Sequence, residues 1–512
     1  MSPRSMFRRD FLVMMGGAAA AGATLLFPRS WRGLAGLDEA LALPGPEAAG
    51  FPVDEKLAGR LLAAARGRGA AFADLYYETR TVTRLNLIDS RIEACEQGIS
   101  AGCGVRAVDG DRTGYAYADV FDEPALLAAA RDAAAIAASG AVAAGEVAFR
   151  SPEKPGWVHT RVPFDQVPLD TRVDWLSRVD RAARAFDPAV RQVTIESNDE
   201  MQRFLVINSD GVWAEDLLPH IYFRINVNAA RDGKRGTGVE RLSMRMGAEQ
   251  MDGDVLERAA REAARMAVAM LEAREAPAGE MPVILGAGGG VIFHEAVGHG
   301  LEADGVHRGT SMFQGKVGER VGSELVTVVD TGAVKALRGS YNVDDEGQPP
   351  QHNVLIEKGI LRGYLNDRMT AALLQAPRTG NGRRQSYRFA PLVRMSNTWL
   401  APGSEAPEEI IRATPSGLYA KTLGGGEVDT TTGNFTFGVL EAYRIEGGKL
   451  TYPISGASLV GNGPEIMKRI DRVGTDQKFW NGTCGKGQWV PVTSGAPTLR
   501  ISAMTVGGSG QA

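Results

Sequence analysis

Two histidines and a glutamate stand close together in the run His294-Glu295-Ala-Val-Gly-His299. Neutral imidazole is the commonest metal ligand in proteins, and helical zinc peptidases carry their water-activating glutamate beside the first of two histidines. Those histidines are usually four residues apart, whereas here they are five apart. Because five residues of regular α-helix rotate by about 500°, the two imidazoles would point roughly 140° apart. A π-type bulge, which Gly298 would ease, could turn both towards one ion.

The elements around this motif must position it. An apolar run at residues 281–285 predicts a strand, the run Gly286-Ala-Gly-Gly-Gly290 predicts a loop, and a helix is expected at about residues 291–304. A second glycine run begins at Gly424. Neither run continues as a phosphate-binding loop would, since no Lys-Ser/Thr follows the first and Glu427 follows the second. These glycines instead favour a close approach of the backbone to an extended peptide.

Further motifs follow in the second half of the chain. They are Gly300-Leu-Glu-Ala-Asp304, Arg308-Gly-Thr-Ser, Asp344-Asp-Glu-Gly, Thr379-Gly-Asn-Gly-Arg-Arg, Gly424-Gly-Gly-Glu-Val-Asp and Cys484-Gly-Lys-Gly-Gln. Together with the histidine motif they resemble the TldD side of the TldD/PmbA family of metallopeptidases, over roughly residues 50–510. The resemblance implies that His294, His299 and Cys484 hold one Zn²⁺ ion per chain and that Glu295 is catalytic.

The chemistry of such a site follows from its ligands. A zinc ion with three protein ligands keeps a position open for water, as in catalytic sites, and Glu295 would accept a proton from that water. The oxygen of the scissile carbonyl needs a positive partner, for which Arg308 and His307 are candidates, although a structural role explains Arg308 equally well. We expect Glu302 and Asp304 to be solvated charges at a helix end; the alternative is that they orient a ligand imidazole.

Composition limits the partners of the protein. The 512 residues carry a formal net charge of −4, and no polybasic run indicates a nucleic-acid surface. After the N-terminus no run is long and apolar enough to span a membrane, so no membrane span is expected in the mature chain. Asp344-Asp-Glu346 resembles a cation site, but the Gly-Gln-Pro-Pro that follows favours a charged turn.

Periodicity predicts an α+β fold in two parts. Residues 53–278 are expected to form an N-terminal α+β domain, after a linker at 43–52, and residues 279–512 a mainly β domain that carries the metal-binding helix. Helices are predicted at 54–68, 122–139, 170–185 and 254–275 in the first domain. Its strands are predicted as short segments at 71–79, 81–89, 99–117, 191–198, 200–208, 211–216 and 220–230. The segment 99–117 is expected to break at Asp109-Gly110, and Asn208-Ser-Asp-Gly211 is expected to form a turn.

The N-terminal segment at residues 1–42 has the pattern of an export signal. Arg8 and Arg9 precede a moderately apolar, alanine-rich stretch, and paired arginines specify the twin-arginine route. Cleavage is plausible after Ala40-Leu-Ala42, and an uncleaved anchor or an amphipathic leader is the alternative. We therefore predict a periplasmic protein that crosses the membrane folded, so that its metal could be loaded before export.

The chain has three cysteines, which is an odd number for an exported protein. Cys95 and Cys103 flank a run at residues 97–99 that we expect to form a hairpin turn. They could form a cross-strand disulfide or remain two buried free thiols. Cys484 is unpaired in either case.

These observations predict a metal-dependent peptidase that hydrolyses small or unfolded polypeptides. The resemblance implies a dimer that encloses the active site, either a homodimer or a heterodimer with a PmbA-like subunit. Two alternatives are a non-catalytic subunit that binds peptides or assists maturation, and a zinc hydrolase of a non-peptide amide or ester.

Overall fold

Long antiparallel strands form one six-stranded sheet in the first half of the chain. A computed structural model describes residues 50–138 and 147–508. The strand order is β3-β2-β1-β4-β5-β6. The strands are β1 (Phe72–Ile88), β2 (Arg91–Asp109), β3 (Arg112–Ala118), β4 (Val190–Asn208), β5 (Trp213–Arg231) and β6 (Lys234–Met244).

Four helices cover this sheet, and small residues let them approach it closely. They are α1 (Glu55–Arg66), α2 (Glu123–Ile136), α3 (Leu169–Arg184) and α4 (Val255–Ala269). Asp54 begins α1 as its N-cap by accepting a hydrogen bond from the Leu57 N–H at 2.7 Å. Gly236 and Gly238 of β6 lie directly under the backbone of α4, where a Cβ atom would collide with the carbonyl oxygens of Ala267 and Ala263. The alanine-rich face of α4 packs there because both surfaces lack bulky side chains.

Several strands are longer than the sequence predicted, and the first hairpin turn lies elsewhere, whereas the breaks expected at Asp109-Gly110 and after Asn208 are confirmed. β1 and β4 each continue through the break that was expected near their middle. The hairpin between β1 and β2 turns at Asp89 and Ser90, whose φ values are 47° and 65°. Gly98, at the expected turn, lies within β2 and pairs with Val82. The prediction of short segments failed because polar and glycine residues look like strand breaks in the sequence. In the sheet, pairing with the neighbouring strands keeps these residues in extended conformation.

This correction removes the disulfide alternative. Cys95 and Cys103 lie on the same strand, and both are free thiols. Eight residues of strand separate them by about 26 Å, well beyond the reach of a disulfide. Cys103 is buried and Cys95 is half-buried, so the free-thiol alternative holds, with only one of the two fully buried.

The second half is mainly β and contains two large sheets. One has the order β11-β10-β9-β14-β21-β20 and the other β15-β8-β22-β18-β16-β17-β7, with β19 beside β22. The strands are β7 (Arg274–Glu275), β8 (Gly279–Leu285), β9 (Val328–Asp330), β10 (Asn353–Glu357), β11 (Ile360–Leu361), β12 (Gly382–Arg383), β13 (Leu392–Val393), β14 (Asn397–Leu400), β15 (Ser416–Val428), β16 (Asn434–Glu446), β17 (Lys449–Ser455), β18 (Ser458–Asn462), β19 (Ile470–Val473), β20 (Lys478–Gly485), β21 (Trp489–Ala496) and β22 (Leu499–Gly507).

Short helices connect these strands. They are α5 (Val291–Ala296), α6 (Ala303–His307), α7 (Arg368–Leu373), α8 (Pro407–Arg412) and α9 (Gly463–Lys468). The predicted α+β class is therefore confirmed, with a mainly β second half that carries the motif segment. The division at residue 278 remains a prediction, and β7, just before it, pairs with β17 of the eight-stranded sheet.

A buried polar layer joins the two halves. We call Arg106, Asp74, Glu346 and Asp367 the interdomain cluster. The Arg106 guanidinium donates to Asp74 Oδ2 and to Glu346 Oε1, both at 2.7 Å, and is 2% exposed. The acidic run at 344–346 is thus a turn, as expected. It is buried, and Glu346 within it forms an ion pair with Arg106.

Two sequence predictions concern export and membrane spans. The signal segment 1–42, with Arg8 and Arg9, lies outside the described residues. Within residues 50–138 and 147–508, no helix has the length and apolarity needed to cross a membrane.

Candidate metal centre

The histidine motif lies on a broken helix. α5 ends at Ala296, Val297 leaves the helical region with φ −125° and ψ −50°, and a tighter 3-10 turn follows over Gly298–Leu301. The π-bulge that the spacing suggested does not form. Gly298 serves a different purpose, because a Cβ atom there would collide with the Met395 sulfur. The break brings the ring centroids of His294 and His299 to 6.1 Å.

Cys484 completes the cluster from β20, almost two hundred residues later. Its Sγ atom lies 3.1 Å from His299 Nε2. Glu295 lies between the imidazoles, with Oε2 at 3.3 Å from His299 Nε2 and Oε1 at 4.0 Å from His294 Nε2. Candidate ligand atoms of His294, Glu295 and Cys484 all fall within 4.8 Å of one another. The structure thus brings together the four residues that the motifs assigned.

These residues fit a metal ion. His294 is 2% exposed, and neither of its ring nitrogens has a hydrogen-bond partner among the described residues. Buried polar atoms are normally satisfied, so an orphaned imidazole facing a thiol calls for a ligand. Two imidazoles and a cysteine are a donor set that zinc prefers, and they leave a position open.

The electrostatics of the cluster favour a thiolate. Burial opposes ionisation of Cys484, but the imidazoles of His299 and His294 outweigh it and lower the pKa of the thiol to about 6. By contrast, burial raises the pKa of the Cys103 thiol far above its usual value. Burial also opposes ionisation of Glu295, but His299 and His294 lower the pKa of that carboxyl group. The anionic forms of the Cys484 thiol and the Glu295 carboxyl group are therefore favoured, which suits the binding of a cation.

Glu302 orients His299, contrary to the expectation that it is solvated. It is 0% exposed, and its Oε2 atom lies 2.9 Å from His299 Nδ1. A hydrogen on Nδ1 donates to this carboxylate and leaves Nε2 as the ligand atom. Burial opposes its charge, but Lys486, 2.8 Å away, and His299 lower the pKa of the Glu302 carboxyl group.

Asp304 also lies inside the structure. It pairs with Lys486 at 2.8 Å and with Arg308 at 2.9 Å. Arg308 is 60% exposed at its side chain, and His307 is exposed at the end of α6. Both point to the surface in this structure, and the only ion pair of Arg308 among the described residues is with Asp304. A role for either in substrate binding stays a prediction.

Two supporting residues escaped the sequence analysis. Lys486 stands two positions after Cys484, inside a motif that was noticed for its cysteine. Arg394 is fully buried and donates to the backbone carbonyl oxygens of Cys484 and Gln488, at 2.8 and 2.7 Å. It fixes the hairpin formed by β20 and β21, here called the ligand hairpin. The position of Lys486 in the cysteine motif could have indicated its role near the metal centre. No local sequence pattern identifies Arg394.

Comparisons with known proteins agree with this geometry. Three PmbA/TldA metallopeptidase domain models match: domain 1 at residues 73–137, the central domain at 162–271 and the C-terminal domain at 278–508. The metalloprotease TldD homolog of Haemophilus influenzae is 41% identical over 86% of this chain and 94% of its own length. The zinc metalloprotease TldD homolog of Saccharolobus solfataricus is 36% identical over 45% of this chain and 52% of its own length.

A solved structure shows the same fold at low identity. TldE from Thermococcus kodakarensis superposes with a TM-score of 0.70 and 19% identity, over 88% of this chain and 99% of that one. The fold, the matched domain models and the extensive identity to a TldD homolog agree. The chain therefore belongs to the family of PmbA and TldD metallopeptidases.

Proposed function

We propose that this protein is a zinc-dependent peptidase that hydrolyses small or unfolded polypeptides. The observation that carries the proposal is the buried cluster of His294, Glu295 and Cys484, with ligand atoms within 4.8 Å and an orphaned imidazole. His294, His299 and Cys484 would hold one Zn²⁺ ion per chain. Their chemistry and the name of the Saccharolobus relative, a zinc metalloprotease, support zinc.

Glu295 is suited to transfer the proton of the attacking water. Its side chain is 26% exposed, whereas those of His294 and His299 are 1% and 2% exposed. It is the member of the cluster that a substrate can reach from solvent. A bound zinc ion would supply activated water and polarise the scissile carbonyl. The Glu295 carboxylate would accept the proton of that water and return it to the leaving amine.

The substrate class and the assembly rest on weaker support. Small or unfolded polypeptides fit a centre whose ligands are buried and whose base is only partly exposed. We propose a dimer that encloses this centre, as a homodimer or as a heterodimer with a PmbA-like subunit. The shared fold of a TldE protein is compatible with pairing between two chains of this architecture.

We also propose export by the twin-arginine route to the periplasm, on the basis of Arg8 and Arg9. Replacing both by lysine should leave the full-length protein in the cytoplasm, because the pathway reads the paired arginines. Fractionation of cells that express each form tests this. Equal periplasmic amounts would contradict the proposed route.

The activity is tested with Glu295→Gln beside a matched surface control, Glu324→Gln. Glu324 is 80% exposed at its side chain, so its variant should keep wild-type zinc content and cleavage of an unfolded peptide. Glu295→Gln should retain about one zinc per chain and bind the peptide, with cleavage slowed by roughly 10²–10⁴.

Other outcomes identify the alternatives. Zinc without cleavage of any peptide by the wild type would favour a binding or maturation subunit. Cleavage of amides or esters but not of peptides would favour a non-peptide hydrolase. A wild type that takes up no zinc under reducing conditions would contradict the proposal.

A further inference from the structure

A small cavity lies between the first-half sheet and the ligand hairpin. Its volume is about 40 Å³, and Trp489 and Pro491 line it from the hairpin. Side chains alternate along a strand, so these two face away from Val490, which pairs with Cys484. The cavity is therefore on the opposite face of the hairpin from the metal centre. Trp489 is 62% exposed, so the cavity reaches the surface there.

Four arginines and three acidic residues line this cavity, and each of the three acids already has hydrogen-bond or ion-pair partners. Asp345 accepts hydrogen bonds from the Tyr76 hydroxyl at 3.0 Å and the Arg384 N–H at 2.7 Å. Asp344 accepts from backbone N–H groups, and burial, with the neighbouring Glu346, raises the pKa of its carboxyl group. Glu200 pairs with Arg80 at 3.4 Å.

Two of the arginines are left without an anionic partner. Arg245 and Arg383 are 2% and 5% exposed, and neither forms an ion pair with a carboxylate in the described part of the chain. Arg245 Nε donates to the Arg338 carbonyl at 3.1 Å, and Arg383 Nη1 donates to the Met395 carbonyl at 2.7 Å. The backbone N–H of Arg245 donates to the Ala336 carbonyl, and its two Nη groups have no hydrogen-bond partner among the described residues.

Burying unpaired like charges side by side is unfavourable. Burial, and the charges of Arg383 and Arg338, lower the pKa of Arg245 to about 9. Arg245 therefore stays positively charged at neutral pH, and the positive charges of Arg383 and Arg338 repel it. A bound anion would compensate these buried positive charges.

We propose that this cavity binds a small oxyanion, of the carboxylate or phosphate class, between Arg245 and Arg383. A guanidinium presents paired N–H groups that match two oxygens of either anion. The volume exceeds the roughly 10–15 Å³ that a single water needs, yet excludes a large side chain. The source is a free phosphate ion or the terminal carboxylate of a peptide. The inference goes beyond the proposed peptidase activity, since the cavity lies apart from the metal centre.

Thermal unfolding of the full chain tests the site without any activity assay. Inorganic phosphate at constant ionic strength, with chloride as the reference, should raise Tm by about 1–2 °C at ten times the dissociation constant. Arg245→Gln and Arg383→Gln should weaken phosphate binding at least tenfold. The control is Arg235→Gln, which replaces an exposed arginine at the start of β6 and should keep the shift.

A second pair of ligands separates the two sources. An acetylated tripeptide with a free carboxylate is compared with its C-terminal amide. A shift with the acid alone, and none with phosphate, identifies a peptide carboxylate; a shift with phosphate alone identifies a free ion. No shift with any of them in the wild type, or equal shifts in Arg245→Gln and Arg235→Gln, would overturn the proposal.

Fluorescence of the wild type keeps the test valid if the arginine variants do not fold. Trp489 lines the cavity, so titration with the active anion should change its emission. The change should vanish in Trp489→Phe, while the Tm shift of that variant persists. An identical fluorescence response in Trp489→Phe would place the anion elsewhere and contradict the site.

Discussion

The metal centre and the interdomain cluster are both buried and polar, yet they differ in how their groups are satisfied. In the interdomain cluster, Arg106 forms ion pairs with both Asp74 and Glu346, so these buried charges face an opposite charge within the protein. At the metal centre, His294 has no hydrogen-bond partner among the described residues, and the groups around it are poised to face a cation. The buried charges of the interdomain cluster are held by ion pairs, although Asp74 Oδ1 lacks a hydrogen-bond partner; at the metal centre both ring nitrogens of an imidazole lack one, which indicates a ligand.

The largest expected effect comes from Cys484→Ala, which removes one of three proposed ligands. Zinc binding of this kind is worth on the order of 10 kcal/mol, so losing a ligand should lower zinc affinity and peptide cleavage by roughly a thousandfold. Metal analysis and a cleavage assay measure both. Cys103→Ala is the matched control, because that thiol is equally buried but lies in the first-half core. Zinc retained by Cys484→Ala would mean that the third ligand lies elsewhere.

Arg106→Met should break the interdomain cluster without touching the metal. Asp74 would keep Arg384 at 3.5 Å and Glu346 would keep the backbone N–H of Arg368, but both would lose their main cation while still buried. The free energy of unfolding should therefore fall by about 3–5 kcal/mol. Denaturant unfolding measures this, and zinc content should stay at wild-type level. Arg60→Met, whose partner Glu123 is exposed, should cost less than about 1 kcal/mol. Loss of zinc in Arg106→Met would erase the distinction between the two clusters.

The interdomain cluster should also make stability depend on pH through Asp367. Burial, and then the charge of Glu346, raise the pKa of this carboxyl group from 3.8 to about 6. The folded protein then binds the proton more tightly than the unfolded chain, so stability falls as pH rises from about 4 to about 6, by about 3 kcal/mol. Asp367→Asn keeps an N-cap for α7 and removes the charge.

Denaturant unfolding at two pH values tests this expectation. The variant should match the wild type near pH 4 and exceed its stability near pH 7.5. Equal stability differences at both values would show that Asp367 does not titrate in this range.

The smallest effect is expected from Glu302→Gln. The amide can still accept from His299 but no longer balances Lys486 and Arg394, so zinc affinity should fall about 10–100-fold. Competition with a chelator measures it. Glu441→Gln is the matched control, since Glu441 is also fully buried between an arginine and a lysine but lies away from the metal centre. Equal zinc affinities in the two variants would reduce Glu302 to a structural role.

The sequence indicated the metal centre well because its main residues lie in recognisable motifs. His294, Glu295, His299 and Cys484 come together as those motifs implied. Glu302 was misjudged because its burial depends on the ligand hairpin, which joins it from far along the chain. The π-bulge was also wrong: Gly298 is needed where Met395, from another segment, lies against it, and that contact cannot be read from the motif.

The fold was predicted in class but not in its strand lengths. Helix starts were placed within about a residue because caps such as Asp54 are local signals. Strand ends were not, because Gly98 and its polar neighbours read as a turn. In the sheet, Gly98 pairs with Val82, and pairing along the whole strand decides where it ends. Local chemistry determines helix caps, whereas tertiary pairing determines strand lengths.

The order of the proposed ligands along the chain has a consequence for biosynthesis. Cys484 is translated 185 residues after His299, and it reaches the cluster only when the ligand hairpin has folded. On the proposed function, a growing chain carries an incomplete zinc site while these 185 residues are made. The enzyme would thus gain its hydrolytic ability only as folding finishes, which protects unfolded nascent chains, its own included, from premature cleavage.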